Sequence, residues 1–430
     1  MDEILFTSQL PLFLYDKGDR ISLLKNILNL LGNPDQQYKI IHVCGTNGKG
    51  STSTMIATLL SASKYKTGLF TSPHIESINE RIKIDGKNIN TSTFKNYEKK
   101  IIQCLQKLNI TEDISYFEML FLIGVLYFAE QECSYVVLEC GLGGELDATN
   151  AITKSEFTIF TKIGMDHMNV LGSTLEEIID TKIKIIRKNS VVIIAPNQQK
   201  LSILKIQEEC NLKKARVLNS ETKIKYLNFC DGKVTFQGND EKKAFLFPLN
   251  VNYQKENLRT VLTWYQNFCN QNNLKFDSNF LNIAFQNLSI KGRFEIVKKS
   301  PLVIVDVAHN VDGIQMFEEY VNDKYIDFKK TIIVGFLKDK DVSGCCRILS
   351  KIEAKFILTE PINKVRTMHT AELATIFDKS SLIPQYKTTS DPVEAIDIAM
   401  ANNIGDKQVI FVIGSFYLVN KVRNYIRSVR

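Results

Sequence analysis

Four places in this chain combine residue types that could do chemistry on a phosphorylated, anionic ligand. The first is Gly45-Thr46-Asn47-Gly48-Lys49-Gly50-Ser51. Its glycines let backbone N–H groups close on phosphate oxygens, Lys49 would offset β/γ-phosphate charge, and a hydroxyl of Ser51 or Thr52 could reach Mg²⁺. The GxxxxGK[ST] spacing is not met, because Gly50 separates Lys49 from Ser51. A tight strand-to-helix turn is the other reading of those glycines. The second place is Ser72, an oxygen donor that Mg²⁺ accepts, or a turn former. The third is Glu139, an acid that closes an apolar run and precedes Gly141, Gly143 and Gly144. An acid so placed would hold Mg²⁺ beside a phosphate loop, or cap a loop. The fourth is Asp166-His167, where a neutral imidazole can ligate a divalent metal or serve as a hydrogen-bonded structural residue.

Each of these residues must be positioned by an element, and the pattern supplies one. Tyr38–Cys44 is β-branched and apolar and runs into the first glycines. Beyond them Met55, Ile56, Leu59 and Leu60 recur at helical spacing. Thr67–Thr71, Tyr135–Cys140, Phe157–Lys162 and Val191–Ala195 repeat the strand pattern, with helices over Tyr116–Glu132 and Leu175–Arg187 between them. Short strands alternating with helices predict a largely parallel sheet covered by helices. Lys233–Phe247 differs: two apolar runs flank the polar residues 239–242, which reads as a hairpin. A second alternating series starts near Pro301, with strands expected in PLVIVDVAHN, KTIIVGF, AKFILTE and KQVIFVIGS. The stretch Asn287–Lys299 separates the two series and carries the domain boundary. Ligands of open parallel sheets bind at the carboxyl ends of strands, where all four candidate places lie.

Composition narrows the function classes. The chain has 430 residues, 44% hydrophobic and 23% charged, which excludes a disordered or fibrous protein. A net charge of +7 over this length suits small anionic ligands better than a nucleic-acid track. Nine scattered cysteines, none spaced CxxC, argue against a disulfide framework or a structural zinc site. The first residues are acidic and lack a long apolar core, so no signal peptide is read there. The most apolar window, Met119 to Ala129, is about half a membrane span and predicts a buried helix. These features predict a cytoplasmic protein.

The glycine-rich loop after His42-Val43-Cys44 resembles the nucleotide loop of folylpolyglutamate synthases and dihydrofolate synthases, a branch of the Mur-ligase superfamily. Other Mur-type ligases usually carry a hydroxyl residue directly after the loop lysine, so the GKGS ending points to the folate branch. Thr71-Ser72-Pro73-His74 and Asn79-Glu80-Arg81-Ile82 look like that family's TSPH and NERI elements. Glu139 to Asn150 is similar to its EVGLGGRLDATN, with Cys140 for Val and Glu145 for Arg. The second of these replaces a cation by an anion on the expected pterin side.

The resemblance implies a site residue by residue. Asn47, Gly48, Lys49, Gly50 and Ser51 would bind ATP; Ser72 and Glu139 would hold magnesium, and His167 would ligate a second ion. Lys182 matches the lysine that family members carry carbamylated, although a surface lysine is its plain reading. Ser115-Tyr116-Phe117-Glu118 is similar to the T-x-F-E segment that contacts the pteroyl substrate, and Leu146 is expected on the same side. The plain reading there is core packing, with Glu118 complementing a helix dipole. Asn257, in Tyr253-Gln254-Lys255-Glu256-Asn257, matches an ATP contact. Arg293 sits in a segment resembling the family's PGR link. Asp306 and His309, in Asp306-Val307-Ala308-His309-Asn310, resemble DGAHN, with Asp306 toward ribose and His309 toward the phosphates. Lys338-Asp339-Lys340-Asp341 and Gly414-Ser415-Phe416-Tyr417 look like DKD and GSxY.

The expectation is therefore an α/β protein with an N-terminal P-loop-type ATPase domain over residues 1–291, its sheet mainly parallel. A smaller Rossmann-like α/β domain follows over 292–430. Lys49, Lys182 and His309 would be catalytic, ATP and two Mg²⁺ ions would be used, and reduced folate and L-glutamate would be the substrates. No nucleic-acid or membrane partner is expected, and the chain is read as a monomer. The alternatives are a Mur-type ligase for another carboxylate, disfavoured by a loop so close to the chain start, and a regulatory NTPase. The latter would need a guanine-reading NKxD, whereas Asn363-Lys364 is followed by Val-Arg.

Overall fold

The computed structural model describes residues 6–14, 17–107, 113–230, 232–238, 241–249, 251–363, 365–380, 386–402 and 407–429. The chain forms two compact units. One comprises residues 1–164 and 171–289, the other residues 165–170 and 290–430. The contiguous boundary read from the sequence does not include the excursion of residues 165–170.

The first unit is built on eight strands: β1 (Lys39–Cys44), β2 (Thr67–Phe70), β3 (Ile82–Ile84), β4 (Lys87–Asn88), β5 (Tyr135–Glu139), β6 (Phe157–Phe160), β7 (Val191–Ile194) and β8 (Arg216–Asn219). Their order across the sheet is β4-β3-β2-β5-β1-β6-β7-β8. Strands β2, β5, β1, β6, β7 and β8 run parallel, and the short β3 and β4 add an antiparallel edge. The central parallel strands are buried along nearly their whole length because both faces are covered. On one face the helix Tyr116–Glu130 is buried except at Tyr116, Tyr127 and Glu130, as a helix apolar all round must be. It packs with the helix Arg20–Leu30 and with Phe94, Tyr97 and Ile101. A separate cluster joins Ile178, Ile179 and Ile183 to Cys44, Phe160 and Ile194. No helix among the described residues is long and apolar enough to cross a membrane.

Two local differences from the sequence reading have physical causes. The helix expected over Leu175–Arg187 ends at Ile183. Ile185 and Ile186 are buried beyond it and continue the i, i+4, i+7 spacing of Ile178 and Ile179, so the apolar periodicity runs past the helix end. Strands β10 (Lys233–Gly238) and β11 (Glu241–Leu246) pair antiparallel as the hairpin requires, and residues 239–240 lie outside the described residues. A third strand, β9 (Ile224–Cys230), pairs with β10 and was not anticipated. Its buried residues Ile224 and Leu227 are too sparse to show a period of two.

The second unit carries a mixed sheet of β12 (Glu295–Lys299), β13 (Leu302–Val305), β14 (Lys329–Val334), β15 (Lys355–Leu358), β16 (Tyr386–Thr388) and β17 (Gln408–Ile413). Its order is β12-β13-β17-β14-β15-β16, parallel except for β12. Ile314, Phe317, Cys345, Leu349 and Phe377 close its core against the sheet.

Candidate nucleotide and metal site

Strand β1 lies between β5 and β6, so chain order reverses around it and its carboxyl end opens at a switch point of the sheet. The Gly45–Ser51 loop occupies that end. Thr46 and Asn47 donate their N–H groups to the Lys162 carbonyl at 2.8 and 3.2 Å, which pins the loop to the end of β6. Gly45 cannot carry a side chain, because a Cβ there would stand 2.0 Å from Thr161 Oγ1. Gly48 has φ +87°, and its Cβ would stand 2.2 Å from Asn257 Oδ1. Glycine is required on both counts, and the close approach places Asn257 against the loop. Asn257 Nδ2 donates to Gln254 Oε1 (3.0 Å), and Gln254 Nε2 to Ser51 Oγ (3.1 Å). The helix Asn252–Gln271 thus reaches the loop through a chain of amides.

The helix Lys49–Ala62 starts at the lysine itself, which directs its N-terminal N–H groups to the same place. Lys49 Nζ donates to the carbonyls of Gly45 and Thr46, at 3.1 and 3.2 Å. Lys182 is 3% exposed, so its plain reading as a surface lysine does not hold. Its Nζ donates to the Gly45 carbonyl at 3.0 Å, and two ammonium groups therefore converge on one loop oxygen. Burial opposes ionisation of the Cys44 thiol, but a bond with Cys140 and the charges of Lys182 and Lys49 hold it below its ordinary value.

Ser72 and Glu139 come together. The Ser72 N–H donates to Glu139 Oε2 at 3.0 Å, and a Cβ on Gly50 would lie 3.4 Å from the same oxygen. Carboxylate, hydroxyl and the first turn of the loop helix therefore meet at the ends of β2, β5 and β1. Among the described residues no group of three or more His, Cys, Asp or Glu side chains is placed to hold a metal. This donor set fits Mg²⁺ or Mn²⁺ completed by phosphate oxygens and water, the usual habit of Mg²⁺.

The neighbouring motifs form a second cluster in this unit. Arg81 Nε bonds His74 Nδ1 at 2.9 Å, and the Arg81 guanidinium lies 5.4 Å from the Tyr116 ring centroid. Burial, with the adjacent Arg81 charge, lowers His74 to about 4, so the imidazole is neutral at pH 7. Ser115 and Glu118 form a capping box, and Glu118 takes a buried salt bridge from Arg20 at 2.7 Å. The Phe117 ring would meet a Cβ on Gly141 at 2.5 Å. Within Ser115–Glu118, Tyr116 thus packs at the edge of the core and meets the Arg81 guanidinium as well. Leu146 is exposed, in the loop that Glu145 anchors by donating its N–H to the Thr181 carbonyl (2.8 Å).

The second unit holds its own group at the carboxyl end of β13. The Asp306 carboxylate accepts N–H groups from Phe294 (3.0 Å) and Ala308 (2.8 Å). Arg293 lies over the Phe416 ring at 5.8 Å, and the His309 ring stands 5.7 Å from the same phenylalanine. His309 Nδ1 bonds the Val307 carbonyl at 2.8 Å. Asp166, from the excursion, takes Lys340 Nζ at 2.7 Å and Asn310 Nδ2 at 3.1 Å. Lys340 Nζ also lies 3.2 Å from His167 Nε2. Burial would raise the Asp166 carboxyl, but His167, His309 and Lys340 outweigh it and hold it well below the usual range. Burial and Lys340 lower His309 to about 4.

The sequence-predicted residues thus fall into two groups. The loop, Ser72, Glu139, Lys182 and Asn257 gather in the first unit; His167, Arg293, Asp306 and His309 belong to the second. Three residues were not singled out. Gln254 and Asn310 stood inside motifs already quoted, and Lys340 stood in the DKD element, whose lysine between two acids was the available signal.

The fold and the loop at its switch point define a Mur-type ligase. The Mur ligase middle domain profile matches residues 43–262, and that of the Mur ligase glutamate ligase domain matches residues 292–416. A dihydrofolate synthase/folylpolyglutamate synthase of Buchnera aphidicola (subsp. Acyrthosiphon pisum) is 30% identical over 410 residues, covering 93% of this chain and 92% of its own. E. coli FolC in complex with DHPP and ADP superposes with a TM-score of 0.83 at 25% identity, over 98% of this chain and 94% of that one. The Yersinia pestis bifunctional enzyme complexed with AMPPNP and Mn ion gives 0.81 at 25% identity, over 95% and 93%. The chain belongs to the folylpolyglutamate synthase/dihydrofolate synthase family of the Mur-ligase superfamily.

Proposed function

We propose that this protein joins L-glutamate to the γ-carboxyl of tetrahydrofolate, at the expense of ATP and through an acyl phosphate. A dihydropteroate carboxyl is a second acceptor of the same chemistry. The observation that carries the reading is the Gly45–Ser51 loop at the β1 switch point, with Lys49 over it and Ser72 and Glu139 in mutual contact beside it. A carboxylate is a poor electrophile. Its oxygen attacks the γ-phosphorus, ADP leaves, and the mixed anhydride then has phosphate as a good leaving group. The glutamate amine attacks the acyl carbon, the tetrahedral intermediate expels phosphate, and the amine proton is lost. Lys49 offsets charge on the transferred phosphoryl group, and the N–H groups of Gly48, Gly50 and Ser51 orient it. Mg²⁺ held at Ser72 and Glu139 supplies further charge neutralisation when bound.

The remaining assignments belong to the same proposal. Asn257 and Asp306 contact the nucleoside, and Arg293 and His309 serve the phosphates. His167 takes a second magnesium, and Lys182 is carbamylated. The burial of Lys182 beside Gly45 supports a role at the loop. Tyr116 and Leu146 lie on the folate side. The test is ADP release from Mg-ATP with L-glutamate, comparing dihydropteroate and tetrahydrofolate. Turnover with tetrahydrofolate alone identifies a dedicated folylpolyglutamate synthase, and turnover with both a bifunctional enzyme. No turnover with either overturns the folate reading.

A further inference from the structure

A second concave site lies in the first unit, away from the loop. It is a cavity of about 600 Å³ formed by segments that lead into the amino ends of β1, β6, β7 and β8. The Gly45–Ser51 loop follows the carboxyl end of β1, so a strand of six residues, roughly 20 Å, separates the two places. Its walls carry Lys25, Lys184, Arg187, Lys188 and Lys213, and no Asp or Glu. Its floor is apolar, with Leu28, Ile152 and Ile186. Glu209, which pairs with Lys213 at 3.7 Å, and Asp35, which accepts the Thr153 N–H at 2.8 Å, are not among the lining residues. Five cations around one hollow repel one another, and low-dielectric walls focus their field on whatever enters.

Arg187 differs from the other four. Its Nη2 donates to the Asn150 carbonyl (2.7 Å), Asn150 Oδ1 (2.8 Å) and the Ile152 carbonyl (3.1 Å). It has carbonyl partners and no carboxylate, so its charge is hydrogen-bonded but not neutralised. Asn150 Nδ2 donates in turn to the Glu145 carbonyl at 2.9 Å. Arg187 Nη1 donates to the Lys184 and Ile185 carbonyls, at 3.3 Å each, so the guanidinium lends the hollow a fixed positive charge while its Nη hydrogens stay within the chain.

We propose that this cavity is a binding site for a small oligoanion, a molecule with several phosphate or carboxylate groups, distinct from the nucleotide loop. The rim lysines engage the charges, and the apolar floor accepts the intervening chain. The cavity volume is that of a small-molecule site. Binding adds negative charge next to Arg187, and hence next to the Asn150–Glu145 contacts of the loop that follows β5. The site does not depend on which acceptor the enzyme uses.

Calorimetric titration of the full chain tests the proposal, with saturating Mg-AMPPNP present to fill the loop. The probes are tripolyphosphate and tri-γ-glutamate, with acetate as the monovalent control. The comparison protein is the Lys184→Glu/Lys188→Glu double variant, whose two positions are exposed. The expected result is one-to-one binding of at least one oligoanion, weakened at least tenfold in the variant, with AMPPNP affinity unchanged. Tripolyphosphate alone identifies a phosphate-bearing ligand, and triglutamate alone a polycarboxylate. Absence of binding by both, equal affinity in the two proteins, or parallel loss of AMPPNP affinity overturns the proposal.

Discussion

Lys340→Met is expected to destabilise the second unit by about 3 kcal/mol, the lower end of what breaking a buried ion pair costs. The pair is close, at 2.7 Å, with side chains only 5% and 11% exposed. At an effective dielectric of about 20 its gross attraction is roughly 6 kcal/mol, against several kcal/mol of desolvation for each ion. Removing Lys340 leaves Asp166 buried with two N–H donors, the His167 backbone and the Asn310 amide, and two imidazoles. The His309 imidazole then feels the carboxylate without the opposing ammonium. Its protonation moves up from about 4 toward its ordinary 6.5. The penalty should therefore shrink as the pH falls through 6, because the histidine supplies the missing charge. Urea unfolding followed by far-ultraviolet circular dichroism measures the loss. The one tryptophan, Trp264, lies in the first unit, so its fluorescence transition should stay put. Asp166→Asn/Lys340→Met removes both charges and should recover most of the loss. A single variant within about 1 kcal/mol of the parent refutes the argument, as does a double variant as unstable as the two singles summed.

Three other outcomes follow from the same geometry. Lys49→Ala should lose at least ~100-fold in turnover with its circular dichroism spectrum unchanged; near-parental ligase activity would remove Lys49 from phosphoryl transfer. Gly48→Ala forces a side chain into φ +87° and onto Asn257, so calorimetric ADP affinity should drop about tenfold or more, and unchanged affinity would mean that the loop adapts freely. Acid should destabilise the fold: His42, His74 and His309 are held at about 3, 4 and 4 in the folded chain against an ordinary 6.5. The unfolded chain then binds more protons below pH 6.5, so stability present above that pH is lost as it falls toward 4. Each histidine steepens the loss by up to ~1.4 kcal/mol per unit, and His42→Gln should flatten the measured slope by one proton.

The parallel core was legible because β1, β5, β6 and β7 are short, mostly apolar and β-branched runs, and such runs mark their own boundaries. The loop was legible for a related reason. Its glycines are demanded by two contacts, Thr161 against Gly45 and Asn257 against Gly48, and such a demand leaves a local signature. Strand β9 was not legible, since its two buried residues, Ile224 and Leu227, are three positions apart and show no alternation. The burial of Lys182 sets aside its plain alternative as a surface lysine. Helical periodicity places it one position from Ile183, but the Gly143-Gly144 turn approaches the same backbone so closely that the lysine is covered.

The Asp166–Lys340 pair shows where sequence reading stops and why. The two residues are 174 positions apart, and neither has a neighbour whose type betrays the other. What the sequence does carry is the incompatibility of each residue with burial alone. Asp166 follows β6 in an apolar context, and Lys340 sits between two aspartates that could have satisfied it. In the fold, Asp339 is taken by Arg366 at 2.6 Å, and Asp341 caps the helix Val342–Leu349 through the Gly344 N–H at 2.9 Å. With both adjacent acids committed locally, the Lys340 ammonium is left for Asp166. A buried cation must find an anion, and here elimination within the DKD element identifies it only after the caps and short-range pairs have been assigned.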